Sequence, residues 1–242
     1  MRFWLLILFS LTLDASEIGE ISELSGNGEI NRGDSEVKLD AKIDSDIFSF
    51  DDVRTGNGRL AIQFLDDSVV KLTEHSKLVI DEFIYDPDPA KSKLALNMAS
   101  GTARFITGKL GLINKENISI KTPTASIGIR GTDFTATVDE LGRSLIILLP
   151  NADGTSSGEI TVTTAMGVEI LNEAFQATMV SAWEQEPTPK VTLGGMTLGM
   201  IDNMLIIQKP PEVVQAIEEQ ELGVSPTAEL DKDFFEDAPD LD

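Results

Sequence analysis

The 242-residue sequence has no cysteine and one histidine, His75. Without cysteine there are no disulfides, thiolate-bound metals, iron–sulfur clusters or cysteine nucleophiles. With one histidine, a two-histidine metal site cannot form. Any triad or zinc site would have to draw on His75, which sits between Glu74 and Ser76 in a stretch that reads as a solvated turn. Basic residues are scarce: 19 Lys and Arg face 41 Asp and Glu, a formal charge of −22. No basic cluster offsets that balance, so nucleic-acid phosphate and anionic lipid surfaces are repelled. Aromatic residues make up only 6%, and Trp4, Trp183 and Tyr85 are the only ones besides phenylalanine, which argues against a sugar-stacking face.

The chain opens with Met1-Arg2, an apolar run from Phe3 to Leu13, then Asp14-Ala15-Ser16. One positive residue, a short apolar stretch and a small-residue end form the layout of a secretory signal peptide. As a helix, about 11 residues reach only ~17 Å against a hydrocarbon core of ~30 Å, too short to span. The expectation is a signal peptide over residues 1–16, cleaved after Ala15 or Ser16. The mature chain would then be periplasmic or secreted, with no membrane span.

From Ile18 to Val180 short alternating segments recur between turn signals. Leu60, Ile62 and Phe64 share one face. Asp66-Asp67 separates that run from Ser68–Thr73 and reads as a tight hairpin. In Lys77–Tyr85 the alternation of Leu78 and Ile80 is displaced at Phe83, which suggests a bulge. Ser92–Met98 and Gly101–Thr107 read as two strands, and Phe134, Ala136 and Val138 define another. The expected fold is all-β: a compact β-sandwich or short β-solenoid-like core of about a dozen short strands over residues 17–183. A linker and short helical segment are expected over 184–222, where Leu193, Met196, Met200, Ile201 and Met204 fall near helical spacing and offer a packing face. Residues 223–242 read as a disordered acidic tail, because 210–242 hold eleven acidic residues against Lys232 alone.

Two stretches carry a resemblance. Residues 52–80 hold Thr55-Gly56 before an apolar strand, the turn Asp66-Asp67-Ser68, and Ser76 before a further strand. Residues 121–138 hold Thr122-Pro123-Thr124-Ala125, then Arg130-Gly131-Thr132, an acidic Asp133, and Phe134. In this order they resemble the FecR-type domain over about residues 20–180, departing at Asp67, where that family usually has glycine. The resemblance implies an extracytoplasmic all-β module. In the name-giving regulators it sits in the periplasm and receives a signal from an outer-membrane TonB-dependent iron transporter. A membrane helix then passes the signal to a cytoplasmic anti-sigma segment. Neither of these last two parts is recognisable here, so the chain looks like a free-standing member of the family.

The function so implied is non-catalytic protein–protein recognition, with signal sensing or transduction at the cell envelope as its setting. The implied partner is a TonB-dependent transporter or another envelope protein, and no cofactor is implied. The alternative is a structural component of the envelope or of an exported surface assembly. The family-motif residues Thr55, Gly56, Asp66, Asp67, Ser68, Thr122, Pro123, Ala125, Arg130, Gly131, Thr132 and Phe134 are expected to be structural. Gly128 should leave room for close backbone packing. Arg130, in an otherwise apolar run, should be half-buried against Asp133, Asp66 or Asp67, so that its removal costs a few kcal/mol.

No catalytic or metal constellation stands out beside these. Asp81-Glu82 should point to opposite faces of a strand and cannot flank one bond. Asn151-Ala152-Asp153-Gly154 has the start of a calcium loop but lacks its closing glutamate.

Overall fold

The computed structural model describes residues 16–33, 37–86, 91–110, 118–195 and 197. The signal-peptide segment through Ala15, the helical stripe beyond Leu193 and the acidic tail lie outside these residues, apart from Gly194, Gly195 and Thr197. Seventeen strands are described, more than expected. The first six are β1 (Gly19–Ser25), β2 (Gly28–Asn31), β3 (Lys38–Asp40), β4 (Asp46–Ile47), β5 (Asp52–Thr55) and β6 (Arg59–Phe64). Next come β7 (Val69–Leu72), β8 (Lys77–Ile84), β9 (Lys93–Ile106), β10 (Ile118–Lys121), β11 (Ser126–Arg130) and β12 (Asp133–Val138). The last are β13 (Ser144–Leu148), β14 (Glu159–Thr163), β15 (Val168–Leu171), β16 (Gln176–Val180) and β17 (Val191–Thr192).

They form one continuous hydrogen-bonded sheet folded into two facing layers. The front layer runs β4–β1–β6–β7–β9–β12–β13–β16–β17 and is antiparallel throughout. The back layer runs β3–β2–β5–β8–β9–β10–β11–β14–β15, with β9–β10 its one parallel pair. Strand β9 is central to both. Its first half pairs with β8 and β10, and from Gly101 onward it pairs with β7 and β12. The two strands expected from Ser92–Met98 and Gly101–Thr107 are therefore one bent strand.

The bend follows from the residues at its corner. Gly101 has φ +84°, and a side chain there would collide with Ser76. The Ser76 hydroxyl accepts the Thr102 N–H and donates to the Thr102 carbonyl, both at 3.1 Å. A second corner uses the tripeptide Gly-Asn-Gly, which occurs twice, each time after a hydroxyl residue. Ser25-Gly26-Asn27-Gly28 takes β1 to β2 from front to back, and Thr55-Gly56-Asn57-Gly58 takes β5 to β6 from back to front. The two run side by side, with the Gly56 N–H donating to the Asn27 carbonyl at 3.0 Å. A Cβ on Gly26 or Gly58 would strike the backbone of the opposite crossing, so close approach demands glycine.

The core lies between the layers. Ile62, Leu72 and Phe134 from the front and Leu78, Ile80 and Leu96 from the back are fully buried in one cluster. Phe64 stacks on Phe83 across the layers at 5.3 Å, and Phe105 on its strand neighbour Phe134 at 4.9 Å. The bulge expected in β8 falls between Ile80 and Glu82 and turns Phe83 inward. β17 lies inside the segment expected to be linker. Thr188 and Leu193 extend its pairing, because the Thr188 N–H reaches the Met179 carbonyl and the Leu193 N–H the Phe175 carbonyl.

Two expectations are corrected. The β6–β7 hairpin has a three-residue loop, Leu65-Asp66-Asp67, closed by Phe64 N–H to the Ser68 carbonyl at 2.9 Å. Asp67 takes φ +66°, the left-handed position that ends such a loop and where glycine is the usual residue. Gly128 is not tightly packed: a Cβ there would meet only Thr161, at 3.8 Å. Gly128→Ala is expected to be neutral or to stabilise by about 0.5 kcal/mol through the unfolded chain. A Tm loss of several degrees would contradict that.

Asp51 has no exposed surface. It accepts the Phe48 N–H at 2.9 Å and lies 3.2 Å from Arg32 Nε. Burial raises its carboxyl above the ordinary carboxylate range, and the Phe48 N–H and Arg32 offset this only in part. A raised folded pKa means that the native state holds the proton more tightly than the unfolded chain. This contribution is therefore complete below the unfolded pKa and lost as pH rises through the folded one. Asp51→Asn, which keeps an acceptor for Phe48, is expected to raise Tm at pH 7, with the gain vanishing below about pH 4. A pH-independent loss of Tm would contradict this.

Candidate functional site

The register separates the motif residues between the two ends of the sandwich. Thr55, Gly56, Thr122, Pro123 and Ala125 lie at the end where β9 bends. Thr55 Oγ1 accepts the Ser76 N–H at 2.8 Å and donates to the Thr73 carbonyl, which holds the β7–β8 turn. Thr122 Oγ1 accepts the Ala125 N–H at 3.0 Å. The hydroxyls of Thr122 and Thr124 each lie 2.7 Å from that of Ser144, and Thr124 donates to the Val180 carbonyl at 3.2 Å. This buried hydroxyl cluster ties a back-layer turn to front-layer strands. His75 is exposed at the same end, as expected for a turn residue.

Asp66, Asp67, Ser68, Arg130, Gly131 and Thr132 lie at the opposite end. Asp66 is fully buried. Its carboxylate accepts the Ser68 N–H at 3.1 Å, the Ser68 hydroxyl at 2.7 Å and the Leu110 N–H at 3.2 Å. The Ser68 hydroxyl in turn accepts the Gly108 N–H at 2.8 Å. Asp66 and Ser68 therefore fasten the exit of β9 to the β6–β7 turn. Asp67 points outward and pairs with Lys109 at 2.7 Å. Thr132 is clasped to Thr107: its carbonyl accepts both the N–H, at 3.1 Å, and the hydroxyl, at 2.6 Å, of Thr107.

Arg130 does not make the expected clamp. It is exposed, and no ion pair forms on it among the described residues. Asp133, its expected partner, is bound by Arg104 of β9, with Nε at 2.9 Å from one carboxylate oxygen and a terminal nitrogen at 2.6 Å from the other. These side chains are 11% and 18% exposed. Register explains the exchange. Arg130 ends a back-layer strand, whereas Asp133 begins front-layer β12, whose outward neighbours on β9 include Arg104. The available signal was the outward position of Arg104 in the alternation of Ala103 and Phe105. Arg130→Ala is accordingly expected to change stability by less than about 0.5 kcal/mol, as for an exposed side chain without a partner. A loss of several kcal/mol on denaturant unfolding would restore the clamp.

Beside this pair lies a cleft of about 480 Å³, walled by Arg104, Thr107, Gly131, Thr132, Asp133 and the loop Pro150–Ala152 with Ser157. Ser157 Oγ donates to the Leu149 carbonyl at 2.6 Å and accepts the Asp133 N–H at 3.0 Å, which fixes that loop against β12. Asp153 accepts the Thr155 N–H and hydroxyl, so the calcium-like stretch is a local turn. The cleft presents a locked ion pair, hydroxyls and backbone groups. No cluster of three or more His, Asp or Glu side chains able to hold a metal occurs among the described residues. The arrangement suits hydrogen-bonding recognition of another molecule's surface.

Residues 51–150 match the model of the FecR protein family, a stretch that includes both motif halves. Two crystal structures from Parabacteroides distasonis, each titled "a putative anti-sigma factor", show similarity to this chain. One shares 15% identity over 70% of this chain and 72% of its own, with a TM-score of 0.47. The other shares 13% over 71% and 92%, with a TM-score of 0.44. No curated protein matches the sequence. No helix among the described residues is long and apolar enough to cross a membrane.

Proposed function

We propose that this chain is an exported, non-catalytic recognition module that binds a protein partner at the cell envelope and takes part in signal transduction there. The observation that carries this reading is the FecR match over residues 51–150. Two features support it. The buried motif residues are occupied in holding the fold together, and Arg130, the one long cation of the motif, stands exposed beside the cleft end. Such a division leaves the motif's surface free for a partner of acidic or hydrogen-bonding character. A TonB-dependent transporter is the partner class that the family resemblance favours.

A photo-crosslinking residue introduced at Arg130 in the native cells tests this, with the far-edge residue Leu39 as control. Capture of a different envelope protein from position 130 and not from 39 is expected. Self-crosslinks alone would point to a structural assembly, and no capture at either position would overturn the recognition reading.

A further inference from the structure

We propose that β3 pairs antiparallel with the β3 of a second copy of this chain, about a two-fold axis at Leu39. Among the described residues the layers end in four edge strands: β3 and β15 in the back layer, β4 and β17 in the front. A bare edge is a template for pairing with another chain, and proteins blunt it with short strands, prolines and charged side chains. Three of the four edges are blunted here. β4 and β17 have two residues each, and the Asp46 carbonyl of β4 already accepts Arg32 at 3.1 Å. On β15 the Ile170 carbonyl accepts Lys190 Nζ at 2.8 Å, and the Ile170 N–H donates to Glu169 at 3.3 Å. Glu186 and Pro187 stand against Gly167, just before β15.

β3 has no such guard. The Arg32 N–H donates to the Val37 carbonyl, and the Ala41 N–H to the Gly28 carbonyl, which frames its pairing with β2. Antiparallel bonds alternate along a strand, so Leu39 turns its N–H and carbonyl to β2 while Lys38 and Asp40 turn theirs to the open side. Among the described residues no hydrogen bond meets those groups, and neither side chain has an ion-pair partner. Val37 and Leu39 share the inner face with buried Ile30. They stay 51% and 43% exposed, because the front layer ends in the short β4.

The strand is complementary to itself. With Leu39 opposite Leu39 of the second copy, Lys38 of each copy faces Asp40 of the other. These two residues carry the free N–H and carbonyl groups, so each Lys38–Asp40 pair exchanges two main-chain hydrogen bonds. The same register sets opposite charges directly across from one another on the outer face, and the two Leu39 side chains meet on the inner one. A shift of two residues either way would set Lys38 against Lys38 or Asp40 against Asp40, which is unfavourable. The contact is isologous and closes on itself, giving a dimer and not a filament. Three residues a side fall well below the ~1,600 Å² of a standard interface, and a formal charge of −22 repels the copies, so the dimer is weak. It leaves Arg130 and the cleft free and does not rest on the envelope reading.

Sedimentation of the protein purified from its native cells tests the pairing, in about 150 mM salt, which screens the general repulsion beyond about 8 Å. A concentration-dependent dimer is expected below about 1 mM. Lys38 and Asp40 are exposed and make no ion pair within the described chain, so reversing either charge leaves the fold intact. Lys38→Asp alone and Asp40→Lys alone each oppose like charges twice, and each is expected to weaken the dimer about tenfold. An equimolar mixture of the two variants should regain it, because every reversed position then faces the opposite charge. The absence of native cysteine makes a second readout clean. Leu39→Cys should bridge two copies about tenfold faster than Leu141→Cys, although Leu141 is the more exposed. Directly opposed residues of a non-bonded pair lie about 4.5 Å apart, inside disulfide range. A protein that stays monomeric up to about 1 mM overturns the proposal and leaves β3 to a strand of another protein. A dimer equally strong in both single variants, a mixture without rescue, or equal bridging rates overturns it as well.

Discussion

Asp133→Ala is expected to lower stability by about 3–5 kcal/mol, because it leaves the nearly buried Arg104 guanidinium without its bidentate partner. The desolvation of Arg104 then loses the compensation that this carboxylate gives, which is why the loss exceeds that of an exposed pair by several-fold. Arg104→Ala should cost a similar amount. The double variant should cost less than the sum, with a coupling of at least about 2 kcal/mol in urea unfolding. Strictly additive losses would mean that the two side chains do not act as a unit. The anchor of Ser157 should survive in these variants, since it bonds the backbone of residue 133 and not the carboxylate.

Asp66→Ala carries the second large effect, about 3–4 kcal/mol. Hydrogen bonds to a buried charged group contribute about 1.5–3 kcal/mol each and are not additive. Removal of the carboxylate strands the N–H groups of Ser68 and Leu110 in a fully buried position. Asp66→Asn should recover part of the loss, since one oxygen still accepts. Hydrogen exchange adds a local readout: the Gly108 and Leu110 amides should lose protection before the core strands do. A loss below about 1 kcal/mol, with those amides unchanged, would mean that the Asp66–Ser68 pair does not fasten β9.

The local pattern of this fold was legible, and its long-range decisions were not. Alternation placed Leu60, Ile62 and Phe64 inward, and likewise Phe134, Ala136 and Val138. It also located the bulge that turns Phe83 into the core. A strand of two or three residues leaves no period to read, and so β3 and β4 were missed. Gly101 reads as a break because glycine weakens a strand. Here a left-handed glycine lets one strand change layers, and that role depends on Ser76, 25 positions earlier. The placement of four strands on either side of β9 in each layer is set by non-local pairing, which no short window contains.

The candidate site shows the same division. The turn character of Asp66-Asp67-Ser68 was readable from residue types, including the misfit of Asp67 at a glycine position. That Arg104 and not Arg130 would hold Asp133 was not, because alternation says which way a side chain points but not what covers it. The loop Pro150–Ala152 with Ser157, joined to β12 through Ser157, stands across the cleft from that pair.

The N-terminal sequence of the protein recovered from fractionated native cells tests the central claim most directly. A recognition module working at the envelope should be found outside the cytoplasm, with its first residue at Ser16 or Glu17. Full-length protein beginning at Met1 and confined to the soluble cytoplasmic fraction would contradict it.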